Sequence, residues 1–300
     1  MEIVIGTSEL GSTFYTQAEA IAAVAREQGA FERVDIFATP TASVGNAERL
    51  ESGELAFGFL AANWIGRAAR GEAPFGRALD VRMAAPANSG PMFFIALADS
   101  AIETVDDLRG KRVSIGPAGS GMAQHVATMF GVLGIGFETF EPVHLNFLDG
   151  ANALAAGEID AQFQCPIPNR VMTELAERAD IRVLDYGPGQ LSTLLDRVGF
   201  YRPAQVRAGA LRGHDRDSPQ IGVLNVVATH ASTADDTVGR LARLMASGHA
   251  RLAELNPLFD GLGALFDPLR EAGEAGLEID GVPLHPGAAA AYRALGLIGS

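Results

Sequence analysis

Apolar positions in the first sixty residues change period twice, from strand-like runs to helical spacing and back. Ile3-Val4-Ile5 predicts a short buried strand that stops at Gly6. Phe14, Ala18, Ile21, Ala22 and Ala25 then recur at helical spacing, with Gly29 as the stop. Val34–Ala38 predicts a second strand. Pro40-Thr41-Ala42 reads as a turn, with Ser43 as the N-cap of a short helix closing near Gly53. Leu55–Leu60 gives a third strand. Strand–helix–strand–helix–strand implies a parallel, doubly wound α/β sheet.

The pattern shifts over Val81–Ala98, where two extended runs flank a Pro/Gly break and read as a crossing between lobes. Thr104–Arg112 predicts a helical turn stopped at Gly110, and Val113-Ser114-Ile115 a strand. A helix follows with Met122, Val126, Met129, Phe130 and Leu133 on one face. Ile115-Gly116 repeats Ile5-Gly6 at an offset of 110 residues, and Leu154–Phe163 repeats Leu50–Phe59 at an offset of 104. Two echoes in the same order imply two lobes of one architecture. Periodicity weakens over 181–220, which reads as loops around helical turns. Ile221–Ala228 is the return strand. Thr233-Ala234-Asp235-Asp236 predicts a capped helix start, and the last helix runs from His285-Pro286-Gly287 to Leu295. The expected division is residues 1–90 with 229–300 as the first lobe, and 91–228 as the second.

Composition narrows the function. A net charge of −13 and a pI near 4.9 over 300 residues disfavour nucleic acid and anionic membranes, which need a basic face. A single cysteine, Cys165, excludes an internal disulfide and a multi-thiolate metal site. No run approaches the ~20 apolar residues of a membrane helix. Strand-like sequence begins at Glu2, so the chain reads either as cytoplasmic or as one whose leader has been removed.

Three loops end at inferred helix starts: Gly6–Tyr15, Pro40–Asn46 and Pro117–Met122. Backbone N–H groups there lack intrahelical partners and suit an anion, and ligands of open α/β sheets bind outside the strands' carboxyl ends. Plain structural roles compete at each position: glycines as turns, Ser43 and Ser120 as caps, Tyr15 as core. Gly116–Gly121 lacks the Lys-Ser/Thr pair of a phosphate loop and the glycine spacing of a dinucleotide fingerprint. Gly119-Ser120-Gly121 lacks the context of a nucleophile elbow. The six histidines (125, 144, 214, 230, 249, 285) have no metal spacing. Cys165, beside Pro166, is a neutral buried thiol or a catalytic thiolate, the former favoured. No acid–base pair is evident, so neither an enzyme nor a cofactor or metal is expected.

These residues resemble one family: the TAXI-type solute-binding proteins of tripartite ATP-independent periplasmic (TRAP) transporters. The likeness runs through Ile5-Gly6-Thr7 to Gly11 and Tyr15, Ala42–Asn46, Asp107–Val113, Gly116–Gly121, Gly157–Ala161 and His285–Ala288. It implies a type II periplasmic-binding-protein fold with the ligand cleft between two hinged lobes. It also implies export to the periplasm after signal-peptide removal, and a monomer that delivers a small carboxylate or amino acid to a membrane permease. The ligand would meet Thr7, Ser8, Thr13 and Tyr15 from the first loop and Ser43 and Asn46 from the second. The opposite lobe would supply Ser120, Gly121, Met122, Gln164 and Pro166. Three departures stand out: Met122 where the family has Thr, Gln164-Cys165-Pro166-Ile167-Pro168 in place of a Gly-Gly-x-Pro run, and Leu211-Arg212-Gly213 in place of Tyr-Pro-Gly. They point away from glutamate-like specificity, toward a less polar or larger ligand. An enzyme or a ligand sensor on the same fold is the alternative.

Overall fold

A computed structural model describes every residue except Gly11, Gly119, Cys165, Pro166, Pro168 and Ser300. The chain divides into two compact units, Met1–Ser89 with Leu224–Ser300, and Gly90–Val223.

The first unit opens with β1 (Glu2–Gly6), α1 (Thr13–Glu27), β2 (Arg33–Phe37), α2 (Ala42–Ser52), β3 (Phe57–Ala61) and α3 (Ala62–Arg70). β1 pairs in parallel with β2 on one side and β3 on the other. The apolar face of α1 explains its position: Ala18, Ile21 and Ala25 are fully buried, and Phe14 stacks on Phe59 of β3 with centroids 5.1 Å apart. Each large apolar side chain buried this way contributes about 1.5–3 kcal/mol. Gly53 ends α2 in the left-handed region (φ +79°), the conformation glycine adopts without a Cβ penalty.

β4 (Val81–Leu97) carries the chain from the first unit into the second as one continuous strand. The expected break at its prolines and glycine is absent. Proline's fixed φ lies within the extended range, so it costs a ladder donor without ending extension.

The second unit continues with β5 (Arg112–Ser114), α4 (Gly121–Leu133), β6 (Glu141–Val143), α5 (Phe147–Ala155), β7 (Ala161–Gln164) and α6 (Arg170–Arg178). β5 lies parallel to both β6 and β7, repeating the arrangement of β1 with β2 and β3. β7 pairs antiparallel with β4. Phe94, Phe130 and Phe163 form the aromatic centre, with centroids 4.9 and 5.6 Å apart. The 181–220 stretch holds more order than its pattern suggested: β8 (Ile181–Val183), α7 (Gln190–Arg197) and β9 (Tyr201–Val206). β8 is too short for periodicity to register. β9 exposes Arg202, Pro203 and Gln205 more than its neighbours and is held by antiparallel pairing to β10 (Ser218–His230).

β10 returns to the first unit, where it pairs antiparallel with β3. α8 (Asp235–Ser247), α9 (His249–Leu255), α10 (Pro268–Ala272) and α11 (Pro286–Ala294) complete that unit. Thr233 does not cap α8. Its hydroxyl accepts from Thr229 Oγ1 at 2.9 Å, and the cap position is Ala234. Arg251 of α9 pairs with Glu27, and Asn256 Nδ2 donates to Thr16 Oγ1 at 3.2 Å, tying the C-terminal segment to α1. No helix among the described residues is long and apolar enough to cross a membrane.

Candidate functional site

Three loops of the first unit sit where β1, β2 and β3 give way to helices, and their polar side chains divide by what already engages them. Thr7 is fully buried, and its hydroxyl donates to Phe37 O at 2.9 Å. It ties β1 to β2. Asn46 is also fully buried, and its Nδ2 donates to Thr7 O and Phe59 O, both at 2.9 Å. One amide thus bridges the carboxyl ends of β1 and β3. The bridge needs glycine beneath it, since a Cβ at Gly6 would stand 2.5 Å from Asn46 Oδ1 and one at Gly58 3.1 Å from Asn46 Cβ.

Ser43 is not the N-cap of α2. Thr41 holds that position, and the buried Ser43 hydroxyl accepts from Ala61 N at 3.1 Å. The helix starts two residues earlier than a Ser43 cap implies, and its first residue, Ala42, takes φ +41°, a conformation costly for a residue with a Cβ. The remaining candidates are accessible. Ser8, Thr13 and Tyr15 are half-buried, and Ser8 Oγ lies 2.5 Å from Ser12 Oγ.

In the second unit the loop after β5 turns at Gly116, with φ +93°. A Cβ there would lie 2.6 Å from Met122 Cβ and 2.9 Å from Ser120 Oγ, so only glycine lets the loop fold back on the start of α4. His144 Nδ1 sits 3.0 Å from Gly116 O. Ser120 caps α4, its hydroxyl accepting from Ala123 N at 3.3 Å. Gly121 and Met122 are half-buried. Gln164 at the end of β7 is fully buried with neither amide atom partnered. Pro166 and Cys165 lie outside the described residues.

The amide at the end of the sheet has moved between units. In the first, Asn46 on the helix packs over Gly6 and Gly58, which face each other in register. In the second, register pairs Ser114 with Gln162, and the helix position is Gly150. Gly58 and Gln162 share the 104-residue offset of Asn46 and Gly150. A Cβ on Gly150 would sit 2.3 Å from Gln162 Nε2, which donates to Phe147 O at 3.0 Å. Both solutions fill one volume, with the polar group carried from opposite sides.

Sequence reasoning passed over Gln17 and Asn63. Gln17 is fully buried on α1 with both amide atoms unpartnered, and Asn63 Oδ1 on α3 is likewise unpartnered. The available signal was a glutamine on the apolar stripe Phe14, Ala18, Ile21, Val24.

His144 sits at the Gly116 turn, and burial perturbs two other histidines. Burial drives His125 down to about 4, leaving it neutral with Nδ1 3.3 Å from Tyr201 Oη. Desolvation also lowers His285, whose Nδ1 accepts from Gly287 N at the start of α11. Among the described residues no three His, Cys, Asp or Glu side chains are placed to hold a metal. The loops of each unit offer hydroxyls, amides and helix ends, which are hydrogen-bonding groups.

Three solved structures share the fold. A TctC solute-binding protein from Polaromonas is 17% identical, covering 88% of each chain, at a TM-score of 0.53. A periplasmic sulfonate-binding protein SsuA from Methylobacillus flagellatus is 15% identical over 100% of this chain and 96% of that one, at 0.52. The periplasmic aliphatic sulphonate binding protein SsuA from Escherichia coli is 16% identical over 87% and 82%, at 0.51. At such identities the likeness is one of fold, and the fold is the expected α/β architecture of periplasmic binding proteins. The sequence itself matches a family model over residues 5–296, and the chain belongs to the NMT1-like family.

Proposed function

We propose that this protein is a non-enzymatic solute-binding protein that captures a small organic anion by hinge closure and delivers it to a membrane permease. The observation that carries this reading is the start of α1. Accessible hydroxyls of Ser8, Thr13 and Tyr15 surround a 15-residue helix whose N-terminal N–H groups receive no side-chain cap. Such an end favours an anion by about 0.3–1 kcal/mol when exposed and up to ~2 when partly buried. Ser120, Gly121, Met122 and Gln164 are the second unit's share of the contacts. Thr7, Ser43 and Asn46 shape the site from beneath it. Closure is then a population shift toward the state in which the ligand gains most contacts.

Within that reading the protein is a TAXI-type component of a TRAP transporter, acts as a monomer outside the cytoplasm, and needs no cofactor. The binding-protein folds of the structural neighbours support the solute-binding part of this reading, and the TAXI assignment rests on the sequence resemblance. The test is mass spectrometry of small molecules released on denaturing freshly purified protein. An organic acid recovered in stoichiometric amount is expected. A nucleotide, or a purified chain that no organic acid stabilises in a thermal-shift screen, would overturn the reading.

A further inference from the structure

Two asparagines interrupt the apolar strands that carry the chain between the units. Asn88 lies on β4 and Asn225 on β10, which are neighbouring strands, and both residues belong to the first unit. Asn225 Nδ2 donates to Asn88 Oδ1 at 3.3 Å. That bond leaves Asn88 Nδ2 and Asn225 Oδ1 without a partner among the described residues. The side chains are 3% and 7% exposed, and neither left-over atom is sealed from solvent, unlike the amides of Gln17 and Gln164. Buried amides are nearly always paired, so a donor and an acceptor stand ready at an opening.

Register places the pair beside the start of α1. Residues directly opposite in an antiparallel pairing point to the same side of the sheet. Val227 stands opposite Phe59 and Asn225 opposite Ala61, so all four share one face. Phe14, the second residue of α1, stacks on Phe59 at 5.1 Å, which puts the first turn of α1 over that face. α2 takes the other face, where Asn46 lies against Gly58. From Val227 to Asn225 the strand advances about 7 Å, toward the carboxyl end of β3. The amide pair and the uncapped N–H groups of α1 therefore meet on one side of the sheet, within one unit.

The surrounding strands carry no charge. Residues 57–66, 83–92 and 218–229 contain no Asp, Glu, Lys or Arg. A carboxylate at the amide pair would lose water without gaining a cation from these strands, and an ammonium group would find no anion there. A neutral group that both accepts and donates, such as a carboxamide, satisfies Asn88 Nδ2 and Asn225 Oδ1 together.

We propose, resting on the binding-protein reading, that Asn88 and Asn225 are ligand contacts that select a monoanion with a neutral, amide-like far end. The anionic head lies on the N–H groups at the start of α1, and the far end completes the asparagine pair. Sites built on hydrogen bonds reject ligands that leave their polar groups unpaired.

The test is isothermal titration of the intact chain with three amide acids: malonamate, succinamate and glutaramate. Each is set beside the diacid and the ω-amino acid with the same number of carbons. At least one amide acid should bind ten-fold or more tightly than both of its counterparts. Asn88→Asp keeps the acceptor of the 3.3 Å bond and replaces the free donor with a carboxylate oxygen. It should weaken the amide acid ten-fold or more and bring the ω-amino acid level with it or above. Asn225→Ser, which shortens the acceptor and adds no charge, should cut the preference to under three-fold. A purely structural pair would lower the melting temperature in both variants and leave the order of affinities unchanged. That outcome overturns the inference, as does a diacid or ω-amino acid that binds as tightly as its amide acid in every set. Absence of binding by all nine overturns it too, whereas the binding-protein reading falls only if no organic acid stabilises the chain.

Discussion

Asn46→Ala isolates the bridge that holds two strand ends together beneath the candidate site. The side chain is fully buried, and its Nδ2 serves Thr7 O and Phe59 O at 2.9 Å each. Removing it leaves both carbonyls without that donor. A buried polar group deprived of its partner costs about 1–3 kcal/mol, and the deleted volume adds a cavity term. Oδ1 is unpartnered in the native chain, so its loss recovers part of that cost. The net expectation is a destabilisation of about 2–4 kcal/mol. At an unfolding entropy of about 2.1 cal/mol/K per residue, 300 residues give roughly 1.6 °C per kcal/mol, so the melting temperature should fall by about 3–6 °C. Scanning calorimetry without added ligand reads this directly, with guanidinium unfolding as the check. A shift below about 1 °C would refute the reasoning, because it would mean that neither carbonyl depends on this amide.

Gly116→Ala should destabilise the second unit by about 2–4 kcal/mol, since it forces a Cβ into φ +93° and within 2.6 Å of Met122 Cβ. Guanidinium unfolding measures it, and an unchanged midpoint would contradict the tight return of the loop. His125 sets a pH dependence: burial holds it near 4 against an ordinary 6.5, so the unfolded chain binds the extra proton. The neutral buried form favours folding fully above about pH 6.5, and that contribution, about 3 kcal/mol, is lost as pH falls toward 4. Melting temperature followed from pH 7 to 4 should drop more steeply in the native chain than in His125→Phe. Parallel slopes would show that the histidine is not buried.

What the sequence disclosed, and what it withheld, divides by the range of the interaction. Strand ends at Gly6, helix stops at Gly53 and Gly157, and the repeat offsets are written in neighbouring residues. Two parallel three-strand cores, β2-β1-β3 and β6-β5-β7, stand where those offsets put them. Ser43 misled because a serine after a turn is a good cap in isolation. Its hydroxyl was instead drawn to Ala61 N, a partner 18 residues away. The family resemblance names Thr7 and Asn46 as ligand contacts, and the structure places both side chains in the interior. Their burial depends on register between β1, β2 and β3 that no local pattern encodes. β9 stayed hidden because long-range pairing to β10 makes it a strand despite Pro203. Gln17 was visible as the odd residue on an apolar stripe and became informative only once its isolation from partners was known.

The central claim, that this chain binds a small organic acid without transforming it, is tested most directly by titrating the purified protein calorimetrically with the acid released from it. The account expects saturable 1:1 binding, with the acid recovered chemically unchanged after prolonged incubation. Absence of binding heat at millimolar acid, or conversion of the acid to a product, would contradict it.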